Sequence, residues 1–331
     1  MASVMFRRFA SADLPTEPPD VVHLIGEAAY LSTWQVLRLC RRHWPDVPTT
    51  LYAAQNVVTR FPVPFPMLEQ AAYRSVRMAL PITPQARDVL YAKGFRGAST
   101  IVPLGVDARI FRPPTRTDRD GRFTVGFVGR LEAHKGILDL LRAAELVDCD
   151  VLLVGEGSLT AEIDLAAARR PGRVRRHGWV THDRLPALIG AMSALVLPSV
   201  EVVQRNVLPW VGIPLREQFG RVLVEAMACA VPVVGSDVGE IPHVVGDAGL
   251  IFPAGNVTAL AERLTRLRDE PGLSDRLAAR GMRRVETEFT WERVADRLYD
   301  IWHGLATART AATAGLPVAG TPAATRGKVS A

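Results

Sequence analysis

The sequence predicts an α/β protein made of two doubly wound, Rossmann-like parallel-sheet domains, the first of them short. Two observations carry that expectation. From Phe123 onward, short apolar runs alternate with amphipathic stretches of helical period, and a briefer version of the same alternation precedes a polar segment rich in Pro and Arg, "PLGVDARIFRPPTRTDRDGR". Hydrophobic residues make up 48% and charged residues 22% of the 331 residues, a globular composition with room for two ordinary domains.

In the first alternation, "PDVVHLI", "TTLYAAQN", "ALPIT" and "STIVPLG" are the expected strands, and "YLSTWQVLRLCRRH" is an expected helix between them. In the second, "FTVGFVG", "DVLLVG", "ALVLPS", "VPVVGSD" and "GLIF" are apolar on both faces and read as buried strands. Between them, "ILDLLRAAELV", "AEIDLAAARR", "HDRLPALIGAM" and "GRVLVEAMAC" carry apolar residues at helical spacing. Strands joined by helices of this length make right-handed crossovers, and ligands of such sheets sit at the carboxyl ends of the strands. The expected organisation is an N-terminal domain over residues 1–112, a linker over 113–122, a C-terminal domain over 123–306 and a disordered Ala/Thr/Gly/Pro-rich tail over 307–331.

Several classes drop out early. The apolar runs are too short to span a bilayer, and no apolar stretch follows Arg7 and Arg8 as a signal peptide requires, so a cytoplasmic protein is expected. Cys40, Cys149 and Cys229 lie far apart without metal-ligand spacing and read as buried small hydrophobes. A net charge of +6 suits phosphate-bearing ligands or an anionic membrane surface as well as simple Arg-rich composition; no nucleic-acid partner is expected.

Three segments carry chemistry. In "VGRLEAHKG", Gly129 and Arg130 end a strand and Lys135 opens a helix, placing two cations beside a helix N-terminus, an arrangement that suits a diphosphate or a solvated surface loop. In "VLLVGEGSL", Gly155 and Gly157 give a tight turn that allows close backbone approach; Thr160 breaks the dinucleotide fingerprint. In "REQFGRVLVEAMACAVPVVGSDVGEIP", Glu217 and Glu225 flank a helix start at Phe219 and Gly220. Were the whole segment helical, the two carboxylates would stand about 12 Å apart along one broad side. The amides of Phe219, Gly220 and Arg221 would then be free donors toward anionic oxygens.

These motifs, in this order, resemble glycosyltransferase family 4 (glycosyl transferases group 1), retaining enzymes of the GT-B fold. That family carries GR-x4-KG, a Gly-rich turn, and E-x-F-G-x4-E-A-x-A-x-G-x-P-V-V; the chain departs chiefly at Ala230, where the family usually has Gly. The resemblance runs on through "HGWV", "LPS", "GDAGLIFPAGN" and "FTWERVADRLYDIW", covering residues 120–303. It implies a metal-independent enzyme with no cofactor, using a nucleotide-diphosphate sugar as donor and a glycan or lipid-linked hydroxyl as acceptor. On matching positions it implies that Arg130 and Lys135 hold the diphosphate, Glu225 the ribose hydroxyls and Glu217 the sugar. The Phe219–Arg221 amides would help hold sugar and diphosphate, Gly129 and Gly155 would border the donor, and the backbone at Val180 would face the base.

The first domain matches less well. It lacks the Gly-rich loop usual near the start, and by strand count it is roughly sixty to eighty residues short of an ordinary doubly wound half. Ala54-Gln55-Asn56 stands where many relatives have a His, and "VVQRNVLPWVGIPLR" (202–216) is an insertion before Glu217, either a flexible loop near the donor or part of the acceptor site. Two alternatives therefore stand beside a transferase: a partial chain that binds sugar nucleotide without transfer, and a sugar-nucleotide epimerase of similar fold. The helix "WQVLRLCRRHW" places Trp34, Arg38, Arg41, Arg42 and Trp44 together, either as a peripheral contact on the inner membrane face or as an ordinary solvated Arg face.

Overall fold

A computed structural model of the chain describes residues 11–59, 61–113, 121–205 and 212–313. It divides into two compact units, residues 1–103 with 295–331, and residues 104–294.

In the first unit, β1 (Val22–Ile25), α1 (Leu31–His43), β2 (Thr49–Ala53), α2 (Phe65–Ser75), β3 (Met78–Pro81), α3 (Pro84–Ala92) and β4 (Ala98–Ser99) alternate along the chain. The strands pair in parallel in the order β1-β2-β3-β4. Because the order never reverses among the described residues, right-handed crossovers put successive helices on one face, and α1 packs directly against α2. The sheet is thus singly wound here, where double winding is expected from the strand pattern. Leu37 of α1 joins Leu51, Ala72, Ala79, Leu90 and Phe95 in one core cluster, and Cys40, a turn on, is buried as well. Burying each large apolar side chain contributes about 1.5–3 kcal/mol.

The second unit is larger. Its elements are β5 (Thr124–Val128), α4 (Ile137–Val147), β6 (Asp150–Val154), α5 (Thr160–Arg169), β7 (Val174–His177), α6 (Leu185–Gly190), β8 (Ala194–Leu197), β9 (Val202–Arg205), β10 (Gly212–Leu215), α7 (Arg221–Ala228), β11 (Val233–Ser236), α8 (Ile241–Val245), β12 (Gly249–Phe252), α9 (Val257–Asp269) and α10 (Leu273–Arg284). Six strands form one parallel sheet in the order β12-β11-β8-β5-β6-β7. Strand order reverses between β5 and β8, so this sheet is doubly wound with a switch point at those two strands. All five apolar runs of this half occupy strands. The edge strand β7, "VRRH", is not apolar; it is held by its pairing to β6 and by Arg176 Nε donating to Asp164 Oδ1 of α5 at 2.6 Å.

Two sequence boundaries shift. The final helix α11 (Trp291–Thr313) runs past residue 307, where a tail is expected, and from Ala295 onward it lies in the first unit. There Trp302 sits edge-on to His23, with ring centroids 5.1 Å apart, and Arg297 and Arg309 donate to the carbonyls of Ile101 and Pro19. The first unit closes at 103 rather than 112. Residues 114–120 of the expected linker and 314–331 of the expected tail lie outside the described residues. The insertion before Glu217 is a β9–β10 antiparallel hairpin in its described part, tied at its base by an Arg216–Glu201 ion pair.

Ala230 stands where the family pattern has Gly, and its backbone shows why glycine suits the position. It follows α7 with a φ of 57°, in the left-handed region where Cβ crowds the backbone. Its N–H donates to the Met227 carbonyl, so the turn is fixed and the side chain is strained. Ala230→Gly is expected to raise stability by about 0.5–1 kcal/mol, the relief of left-handed strain less the glycine entropy. A denaturant midpoint unchanged or lowered in the variant would contradict this.

Candidate functional site

Strand ends at the β5/β8 switch point are shaped first by backbone. Gly129 donates to the Val154 carbonyl at 3.0 Å and has a φ of 149°. Gly155, φ 141°, lies so close that an added Cβ would stand 2.0 Å from the Gly129 carbonyl oxygen. The close approach that this glycine allows is therefore to the neighbouring loop, which locks the ends of β5 and β6 together. Gly155 also donates to the His177 carbonyl, and the Trp179 N–H donates to Glu156 Oε1 at 3.4 Å. Val180 is thereby brought beside the Gly155–Gly157 turn, half-buried, next to a Trp179 that is 76% exposed.

The cations sit one loop away. Arg130 is exposed and makes no ion pair among the described residues. Lys135 ends a short 3-10 turn, and Gly136, φ 67°, carries the chain into α4. An added Cβ at Gly136 would stand 1.9 Å from the Pro198 carbonyl oxygen, and Val200 N–H donates to the His134 carbonyl. The Lys135 turn is thus docked on the segment that follows β8. Burial chiefly, and then the charges of Lys135 and Arg130, lower the pKa of His134 from its ordinary value, against a smaller opposing pull of Glu217 and Glu132.

Glu217 joins the two loops. Its Oε2 accepts from Lys135 Nζ at 2.6 Å and from Ser199 Oγ at 3.0 Å, with the Lys and Glu side chains only 17% and 13% exposed. Its carbonyl accepts from Glu240 N–H, and Gly239, φ 59°, comes so near that a Cβ would fall 2.1 Å from that oxygen. Glu217 is therefore clamped at both main chain and side chain.

The helix starts beside the expected Phe219–Gly220 start, so Glu217 precedes it and the Glu217–Glu225 segment is not helical throughout. Gly220, φ 76°, turns the chain, and α7 starts only at Arg221; Glu217 lies in the preceding loop. Phe219 is buried, edge-on to Phe289 with centroids 5.7 Å apart, and anchors that turn. Glu225 is 4% exposed and pairs with Arg221 Nε at 3.2 Å, while Arg221 Nη2 stands 3.4 Å from His182 Nε2. Burial raises the Glu225 pKa from its ordinary value, against the smaller opposing pull of Arg221.

Chain order thus converges: Gly129, Arg130 and Lys135 follow β5, Gly155 follows β6, Val180 follows β7, and Glu217 to Glu225 follow β8. Ser199, His182 and Glu156 received no role from the sequence. Of these, Ser199 stands in the "LPS" run, but only the pairing with Glu217 gives it a part. Among the described residues no group of His, Cys, Asp or Glu is placed to hold a metal ion. The three cysteines are free and buried, as their spacing implies.

Comparison with known proteins bears on this site. Residues 122–270 match the family described as Glycosyl transferases group 1. The chain is 26% identical to an alpha-D-kanosaminyltransferase of Streptomyces kanamyceticus, over 78% of this chain and 69% of that protein. It is 31% identical to an alpha-maltose-1-phosphate synthase of Mycobacterium tuberculosis, over 62% of this chain and 51% of that protein. It spans only 42% of an O-antigen chain mannosyltransferase B of Escherichia coli, at 30% identity. Among solved structures, sucrose-phosphate synthase from Thermosynechococcus elongatus superposes with a TM-score of 0.67 at 23% identity, covering 87% of this chain and 74% of that one. Anabaena HepE, solved in complex with UDP, gives 0.69 at 17% identity, covering 85% and 78%. The fold is accordingly GT-B, an α/β architecture of two Rossmann-like domains.

Proposed function

Taking residues 122–270 as a glycosyltransferase group 1 domain, we propose that this protein is a retaining, metal-independent glycosyltransferase of family 4. It moves a sugar from a nucleotide-diphosphate donor to a hydroxyl on a glycan or lipid-linked acceptor, in the cytoplasm. The observation that supports this best is the Lys135–Glu217–Ser199 network beside the exposed Arg130, at the strand ends where doubly wound sheets bind ligands.

Each group then has a task. Arg130 and Lys135 neutralise the donor diphosphate, aided by N–H groups at Phe219, Gly220 and Arg221, where the helix has no earlier carbonyls to receive them. Lys135 is held by Glu217, so its ammonium is positioned before the donor arrives. Glu217 turns its remaining acceptor capacity to sugar hydroxyls. Glu225 accepts from the ribose, the Gly129 and Gly155 turns border the donor, and the backbone at Val180 faces the base. In the transfer step the bond from the anomeric carbon to the phosphate oxygen breaks and its electron pair leaves with the diphosphate. The acceptor oxygen bonds to that carbon on the same face and gives its proton to a phosphate oxygen. Charge develops on the leaving diphosphate, where fixed cations lower the barrier without a metal.

HepE is solved with UDP and with UDP-glucose, which makes uracil the first base to try. Calorimetry with UDP and GDP is expected to show saturable binding of one of them, unchanged by EDTA. Binding of neither, or binding that EDTA abolishes, would overturn the donor site or its metal independence. A second reading, a chain that binds donor but transfers nothing alone, is supported by the singly wound sheet of the first unit and by the partial span of the relatives. Donor binding without turnover on a panel of glycan and lipid-linked acceptors would favour it.

A further inference from the structure

Outside the donor site, the α1–α2 layer of the first unit carries an unbalanced positive charge among the described residues. The α1 sequence, LSTWQVLRLCRRH, contains Arg38, Arg41 and Arg42 and not one carboxylate. The lone acid of α2, Glu69, is buried and taken by Lys93 at 2.6 Å. Arg74 and Arg77 follow on α2 and just beyond it, exposed like the three on α1. None of these five arginines makes an ion pair among the described residues, whereas α9 and α10 hold Arg266 and Arg276 on Glu270. Asp46, in the loop after α1, is the exposed acid closest in sequence.

The arginines are ordered rather than scattered. Trp34, Arg38, Arg41 and Arg42 line a groove of ≈ 290 Å³ between the two helices, together with Leu37, Ala71 and Ser75. The Arg38 guanidinium stands 5.4 Å from the Trp34 ring centroid, and Arg41 Nη1 donates to Ser75 Oγ at 3.3 Å. One turn before Ala71, Met67 is 68% exposed. From Trp34 to Arg42 the row extends about 12 Å along α1. Helix C-termini favour cations, which accounts for Arg41, Arg42 and Arg74 but not for Arg38 or for the missing acids.

We propose that this α1–α2 face is a docking surface for an anionic lipid bilayer. Charge complementarity argues for it: guanidiniums without an ion-pair partner among the described residues take lipid phosphates, which they bind in a planar fork. The site is a broad helical face and shallow groove, which matches an extended counter-surface, and Trp34 and Met67 supply the apolar part that an interface takes up. The inference does not depend on the sugar donor or on transfer.

Flotation of the full chain tests it, with vesicles of phosphatidylcholine alone and with phosphatidylglycerol added. Association with the anionic vesicles only, weakening as salt rises, is the expected result. Arg38→Gln, Arg41→Gln and Arg42→Gln together are expected to lower partitioning on the order of 100-fold, at about five-fold per charge. The matching triple Arg266→Gln, Arg276→Gln and Arg280→Gln on the second unit is expected to leave it within about two-fold, because those charges are no part of the row. Circular dichroism melting checks that each variant folds; should the first triple unfold, Arg38→Gln and Arg42→Gln alone each carry the five-fold test. The proposal fails if anionic vesicles capture no protein, or if both triples behave alike. It fails equally if inorganic phosphate releases the protein better than chloride of equal ionic strength, which marks a discrete phosphate site, or if duplex RNA is bound more tightly than the vesicles.

Discussion

Lys135→Ala is expected to lower turnover by on the order of 10²- to 10³-fold, the usual loss when one fixed group that stabilises a transition-state charge is removed. The ammonium sits at 17% exposure on the Glu217 carboxylate, so it is desolvated and aimed before substrate binds. On the proposed mechanism its interaction strengthens as the diphosphate leaves, which places most of the expected loss in kcat. Donor affinity should fall less, by about 1.5–3 kcal/mol, the worth of a hydrogen bond to a charged group. Removing the cation also strips the Glu217 carboxylate of its ion pair while Ser199 still donates to it, so some stability goes too. The kinetic split separates the roles. A variant with a lower melting temperature but an unchanged kcat would show Lys135 to be structural only, and Lys135→Arg should recover part of the rate if charge is what matters.

Gly136→Ala should destabilise the second unit by roughly 2–4 kcal/mol, although the change adds a single methyl group. Left-handed backbone accounts for about 1–2 kcal/mol of this. The remainder comes from the Cβ position, 1.9 Å from the Pro198 carbonyl oxygen, which forces the turn and the post-β8 segment apart. Gly172 is the internal control: it has a φ of 75°, and a Cβ added there would meet nothing within 4 Å, so Gly172→Ala should show the backbone part alone. Chemical denaturation of the two variants measures the difference. Equal losses would mean that the Gly136 turn relaxes freely and does not fix Lys135.

The strands of the second unit are legible because a parallel sheet covered on both faces demands continuous apolar runs, as in "DVLLV" and "ALVL". The edge strand β7 is not, since "VRRH" shows neither an apolar run nor clean alternation and is held by neighbours. The helix ends are legible where glycine marks them, at Gly136 and Gly220. A uniform helical reading of Glu217–Glu225 misplaces Glu217, because its loop geometry is imposed by Gly239 and Glu240, which lie more than twenty residues downstream.

By itself, then, the sequence determined the α/β class, the buried strands of the second sheet, and the set of charged and glycine positions from Gly129 to Glu225. Those are properties of local period and residue type, which the chain carries wherever it goes. Tertiary structure alone decided three things: that strand order reverses at β5 and β8, that Lys135 meets Glu217 across 82 residues of chain with Ser199 joining them, and that the arginines of α1 find no acid among the described residues while most of their counterparts elsewhere do. Pairing partners and charge balance depend on which distant segments are brought together, and no local pattern encodes that distance.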